Sequence, residues 1–317
     1  IEVLKEISPT GGISTDGGME IAISAWAYSG AQVHAMVGGQ TVTMNPDDNV
    51  VDENVRDSSY ERFTGTYTAP AATGDQQNLG AITVHASYEG QTKSLTGATI
   101  TVNPKAKVED GTPVVVLTDQ AMTYPANTLD NIPRADCYPL PKGAMDYAVG
   151  EEIEYKSVGY TLLASGLRVK SSDIEGTSDF ASANTVSKMS VDVKDGFTYV
   201  TLKTAQKGSY NFSYTGSAVK IGLNYTSSVP EGMTLNQNPL FTDACWDGSS
   251  LTLTMVKQGG LLGYKGYYDC SGDLVFRFNN PPSSVAGARI ALDPGHGARD
   301  GAPLGSLTVY PVKAINA

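Results

Sequence analysis

The run Ala288-Arg289-Ile290-Ala291-Leu292 reads as a short buried strand that passes at once into Asp293-Pro294-Gly295-His296-Gly297. An imidazole set at the carboxyl end of a strand by a Pro-Gly turn stands on a rigid support and faces a crevice. Glycine on either side lets the backbone approach a metal or substrate closely. This setting makes His296 the histidine to weigh first for chemistry. His34 and His85 differ from it, because each lies inside an alternating segment, Val33-His34-Ala35 and Val84-His85-Ala86. There a half-buried or solvent-facing structural role is expected.

Other reactive groups are sparse. Cys137, Cys245 and Cys270 lack the paired short spacings of a structural zinc site, and both a Cys245–Cys270 bridge and free thiols fit their positions. No nucleophilic serine elbow or glycine-rich phosphate loop is present. Trp246, Tyr264, Tyr267 and Tyr268 have two readings, a surface that stacks on sugar rings or cross-strand pairs inside a sheet, and the second is preferred. Asp47-Asp48 and Asp52-Glu53 lack an EF-hand spacing and read as solvated loops.

The Asp293-Pro294-Gly295-His296-Gly297 loop, behind its short strand, resembles the opening of the catalytic domain in zinc-dependent N-acetylmuramoyl-L-alanine amidases. The preceding Gly-Tyr hairpin and the strand Leu274-Val275-Phe276-Arg277-Phe278 are similar to the wall-targeting β-sandwich that often precedes that domain. The resemblance implies zinc as cofactor in the parent enzyme, His296 as its first ligand, and peptidoglycan or another cell-wall glycan as partner. It also implies hydrolysis of the amide between N-acetylmuramic acid and L-alanine, by a secreted, cell-wall-associated protein. The pattern departs further on: Val312 stands where the family has a glutamate ligand, and no glutamate follows Glu231. A valine cannot bind zinc. Residues 288–317 are therefore expected to be a truncated start of the catalytic domain, with the chain inactive by itself, its zinc position empty, and its role wall binding. The alternative reading is a non-catalytic wall-binding or adhesion protein with a vestigial amidase segment.

What must position these residues is a set of sheets. In 317 residues, only 17% are charged against roughly 25% in an average globular chain, while Gly (34) and Tyr (17) are abundant. That profile suits a β-rich extracellular protein. A net charge of -11 repels phosphate backbones and anionic membrane surfaces, so nucleic acid is excluded as a partner, and no stretch is apolar for long enough to form a membrane span.

Alternation of period two carries the fold: Ile21, Ile23, Ala25 and Ala27, then Ile82, Val84 and Ala86, with turn clusters between and no helical repeat. The fold expected is mainly β, with tandem β-sandwich domains. Residues 1–104 form an Ig-like sandwich, and the polar stretch around Asn103-Pro104-Lys105 reads as a linker. Residues 111–176, with a strand from Val114 to Leu117 and strand-like pieces around 153–160 and 167–169, resemble a small SH3-like module through Leu140-Pro141-Lys142-Gly143 and residues 160–169. An irregular lead-in to the next sandwich fits them equally well. Residues 177–287 form a second sandwich, amidase-associated by the resemblance above. It closes in a hairpin whose strands are 264–268 and 274–278.

Overall fold

The computed structural model describes residues 2–47, 59–107, 110–126, 137–181 and 183–284. The segment carrying His296 lies outside the described residues, as do Asp48, Asp52, Glu53 and Val312. Within them the chain is nearly all β and builds tandem β-sandwich domains. No helix among them is long and apolar enough to cross a membrane.

The first unit contains β1 (Leu4–Ser8), β2 (Gly12–Thr15), β3 (Glu20–Tyr28), β4 (Gln32–Val37), β5 (Gln40–Pro46), β6 (Tyr60–Thr68), β7 (Gln77–Tyr88) and β8 (Gln91–Val102). Their order is β1-β3-β6-β5-β4-β7-β8-β2. Strand β5 pairs with β4 along most of its length and with β6 only at Asn45 and Pro46, so the sheet folds over there and becomes an Ig-like sandwich. Alternation places Ile21, Ile23, Ala25 and Ala27 of β3 inside, against Val33, Ala35, Ile82 and Val84 from the opposite layer. Burying a side chain of this size contributes about 1.5–3 kcal/mol, which is what makes the register of β3 against β6 unambiguous.

The second unit is smaller: β9 (Thr112–Val116), β10 (Gln120–Ala121), β11 (Thr123–Pro125), β12 (Leu140–Pro141), β13 (Met145–Tyr155), β14 (Val158–Leu163), β15 (Leu167–Lys170) and β16 (Ile174–Gly176). A six-stranded sheet runs β11-β15-β14-β13-β9-β16, and β10 pairs with β12 beside it. Strand β13 serves two partners, β9 along Met145–Ala148 and β14 from Ala148 to Tyr155, and the second pairing shifts register between Val149 and Ile153. A single 3-10 turn, Ser171–Asp173, leads from β15 to β16.

Residues 153–160, read from sequence as one strand-like piece, are instead two strands and the turn between them. Lys156 (φ 50°) and Ser157 (φ 60°) form a two-residue turn with both central residues left-handed, a type I′ geometry. The sequence hides it because Asn-Gly or Asp-Gly is the usual signature, as at Asp195-Gly196, whereas Lys-Ser carries none.

The third unit contains β17 (Val186–Lys194), β18 (Phe197–Thr204), β19 (Tyr210–Tyr214), β20 (Ala218–Leu223), β21 (Gly232–Leu235), β22 (Phe241–Trp246), β23 (Ser250–Met255), β24 (Tyr264–Tyr268) and β25 (Leu274–Asn279). Sheets β21-β17-β18-β25-β24 and β19-β20-β23-β22 face each other across Val200, Leu202, Phe276 and Phe278 on one side and Phe212, Val219, Ile221 and Leu253 on the other.

The units are bonded to one another, not strung on loose joints. Arg168 of β15 donates to the Asp16 carboxylate at the end of β2, and Tyr124, Ile153, Tyr155 and Tyr160 of the second unit pack into the first unit's core. Asn103, expected in a linker, is instead 1% exposed. It sits between the two units with its side-chain amide 3.4 Å from Asp16 Oδ1 and 3.5 Å from the Glu152 carbonyl. Polarity suggested solvent there, but a buried amide that finds acceptors on both sides is equally polar in sequence.

The second and third units meet around Asp146. Ser209 Oγ donates to its Oδ2 at 2.6 Å, the Tyr225 hydroxyl donates to Oδ1, and the Tyr147 amide donates to Oδ1 at 2.7 Å. Tyr138 stacks on Tyr210 with centroids 5.7 Å apart, and the Tyr210 hydroxyl donates to the Pro139 carbonyl at 2.9 Å.

Candidate functional site

A cleft of about 420 Å³ opens where the β13–β14 hairpin leans against the first sandwich. The outer positions of β3, β5 and β6 supply Ser24, Asn45, Arg62 and Thr64, while the hairpin supplies Tyr155 and Lys156. Alternation explains the first set: the residues opposite the buried Ile23 and Phe63 must face outward, and they are small or polar. The second set depends on the turn. Its left-handed residues cost roughly 1–2 kcal/mol each in non-glycine side chains, and such strain tends to sit at functional positions.

The Lys156 ammonium lies 5.2 Å from the centre of the Tyr155 ring, a cation–π contact that holds it over the cleft. Gly65 borders the same cleft, and a Cβ there would lie 2.8 Å from the Thr43 carbonyl, so β5 and β6 approach this closely only with glycine at that position. Hydroxyls, an amide and two cations around a phenol ring suit a hydroxylated ligand carrying a carboxylate.

The aromatic group at the far end of the chain is built into the third sandwich. Tyr264 stacks on Phe212 at 3.8 Å, the Tyr268 hydroxyl donates to the Gly208 carbonyl, and Trp246 Nε1 donates to the Ser228 carbonyl at 2.8 Å. Burial pushes the Tyr264 and Tyr268 phenols well above their ordinary range, as it does Tyr210. Tyr264, Tyr268 and Trp246 are therefore half-buried packing elements of the sheets.

His34 and His85 lie opposite each other on β4 and β7, on the outer face of the first sandwich. Their rings stack with centroids 5.1 Å apart and planes 23° apart. None of the three cysteines is in a disulfide, and Cys245 and Cys270 are exposed. Among the described residues no group of three or more His, Cys, Asp or Glu side chains is arranged to hold a metal ion. His296 itself lies outside the described residues.

Sequence reasoning missed the cleft. Its first-sandwich half was detectable as polar positions alternating with Ile21, Ile23 and Phe63, but the hairpin half had no signal, because nothing in Lys156-Ser157 marks a turn.

No family model and no curated protein matches the chain. Among solved structures it is similar to the N-terminal eight Ig domains of Down syndrome cell adhesion molecule isoform 1.30.30, at 12% identity and a TM-score of 0.24. That match covers 90% of this chain and 39% of the other, so the chain spans well under half of that structure. It is also similar to the I-band fragment I67–I69 of titin, at 9% identity and a TM-score of 0.22, covering 83% of this chain and 92% of the fragment. Scores this low say nothing about function.

Proposed function

We propose that the chain is the wall-binding region of a secreted, cell-wall-associated N-acetylmuramoyl-L-alanine amidase, in which 111–176 is an SH3-like module and 177–287 the amidase-associated sandwich. The observation that carries the reading is the cleft at the first junction, where Arg62 and Lys156 stand among hydroxyls and an amide. Peptidoglycan offers matching chemistry, sugar hydroxyls beside the carboxylates of its stem peptides. The strand order β11-β15-β14-β13-β9-β16, with a 3-10 turn before the last strand, supports the SH3-like assignment. The Asp293–Gly297 loop, in the segment that follows β25, supports the tie to an amidase.

In this reading the chain itself binds and does not cleave. A second reading, a non-catalytic wall-binding or adhesion protein, is favoured by Val312 at the position where the resemblance expects a glutamate ligand. Sedimentation with purified sacculi tests the shared part: the whole chain should pellet with them, and Arg62→Ala with Lys156→Ala should stay in the supernatant. If both chains sediment equally, the cleft is not the binding surface. Release of new L-alanine amino termini from the sacculi would show that the chain cleaves after all.

A further inference from the structure

We propose that His34, His85 and Met36 form a copper-binding site on the outer face of the first sandwich. His34 and His85 are the histidines of the described residues, and the register of β4 against β7 sets them directly opposite each other. Met36 follows His34 by two positions on β4, so its thioether emerges on the same face, about 7 Å along the strand. All three border one cleft of about 610 Å³.

The second partner of one imidazole is also in place. His85 Nδ1 lies 2.7 Å from Ser94 Oγ. With Nδ1–H donating to that hydroxyl, Nε2 keeps its lone pair and the ring is held in one orientation, the arrangement that ligating histidines commonly adopt. His34 is exposed, so its ring is free to turn a nitrogen toward the same point. Met36 Sδ accepts a hydrogen bond from Thr41 Oγ1 at 3.1 Å, a weak contact that a metal can displace.

The donor set selects the metal. Two imidazoles and a thioether suit copper, which tops the divalent affinity order as Cu(II) and prefers sulfur as Cu(I). Calcium and magnesium require oxygen donors, and among the described residues no carboxylate lines this cleft. The cation that does line it, Lys93, lies 2.5 Å from the Glu2 carboxylate, which offsets its charge.

The whole chain with Cys245→Ser and Cys270→Ser, so that exposed thiols do not compete, is titrated with Cu(II) chloride and, under ascorbate, with Cu(I). One equivalent should bind, with an electron paramagnetic resonance spectrum showing coupling to two nitrogens. His34→Ala and His85→Ala should each weaken binding by at least about tenfold, equivalent to about 1.4 kcal/mol, without moving the unfolding midpoint. Met36→Leu should weaken Cu(I) more than Cu(II). Unchanged affinity in both histidine variants overturns the proposal, as does loss of the bound copper on His296→Ala alone.

Discussion

The guanidinium of Arg168 reaches across a module boundary to the carboxylate of Asp16, 152 residues earlier in the chain, and both are largely removed from solvent, at 2% and 21% side-chain exposure. The same guanidinium donates from Nε to the Ala126 carbonyl at 3.2 Å and lies against Met19 Sδ. A buried charge held by one partner is costly to strand.

Asp16→Asn should therefore lower stability by about 3 kcal/mol, because it leaves the Arg168 charge enclosed and uncompensated. Urea unfolding gives the number. Arg168→Met combined with Asp16→Asn should lose less than the two single changes added together, since the stranded charge is gone. A loss under about 0.5 kcal/mol for Asp16→Asn would mean that the junction does not depend on this pair.

Stability should fall on the alkaline side. Burial raises the phenols of Tyr210, Tyr264 and Tyr268, so these groups keep their protons in the folded chain above the pH at which the unfolded chain releases them. The contribution is fully present below the unfolded value of about 10 and is lost as pH rises beyond it, by up to about 1.4 kcal/mol per phenol per pH unit. Unfolding free energies at pH 9, 10 and 11 should show that slope, and Tyr268→Phe should reduce it by one phenol's share. A slope unchanged in that variant would count against the buried phenol.

Gly266 of β24 should not tolerate a methyl group. A Cβ there would lie 2.5 Å from the Tyr210 hydroxyl and 3.2 Å from the Phe276 ring, so Gly266→Ala must push Tyr210 off its bond to the Pro139 carbonyl. Overpacking of this kind costs about 1–3 kcal/mol. Because that bond joins the second and third units, differential scanning calorimetry should also show a broader transition than in the wild type.

The Lys156-Ser157 turn should be improvable in stability and damaged in function by the same change. Lys156→Asn with Ser157→Gly installs the pair that type I′ turns prefer and should add about 1 kcal/mol to the free energy of unfolding. It also removes the ammonium from the cleft, so binding to sacculi should weaken while thermal stability rises. Destabilisation would show that the left-handed geometry carries no strain.

Much of each strand was legible locally. Ile21, Ile23, Ala25 and Ala27 repeat with the period of an extended chain that has one wet and one dry face, and Asp195-Gly196 announces its own hairpin. Where local chemistry was silent the reading failed: Lys156-Ser157 turns without a turn residue, and Asn103 is as polar as any linker residue yet is buried. His34 and His85 were each visible as positions in a strand. Their pairing was not, because it depends on which strand lies beside β4.

From sequence alone follow a nearly all-β chain and the inward faces of its main strands, since backbone period and side-chain polarity act over a few residues. Tertiary structure alone decided that Asp16 meets Arg168, that Asp146 gathers Ser209 and Tyr225, and that a hairpin of the second unit closes a cleft on the first. Those contacts join residues far apart in the chain, and their free energy exists only once the sheets have packed and excluded water between them.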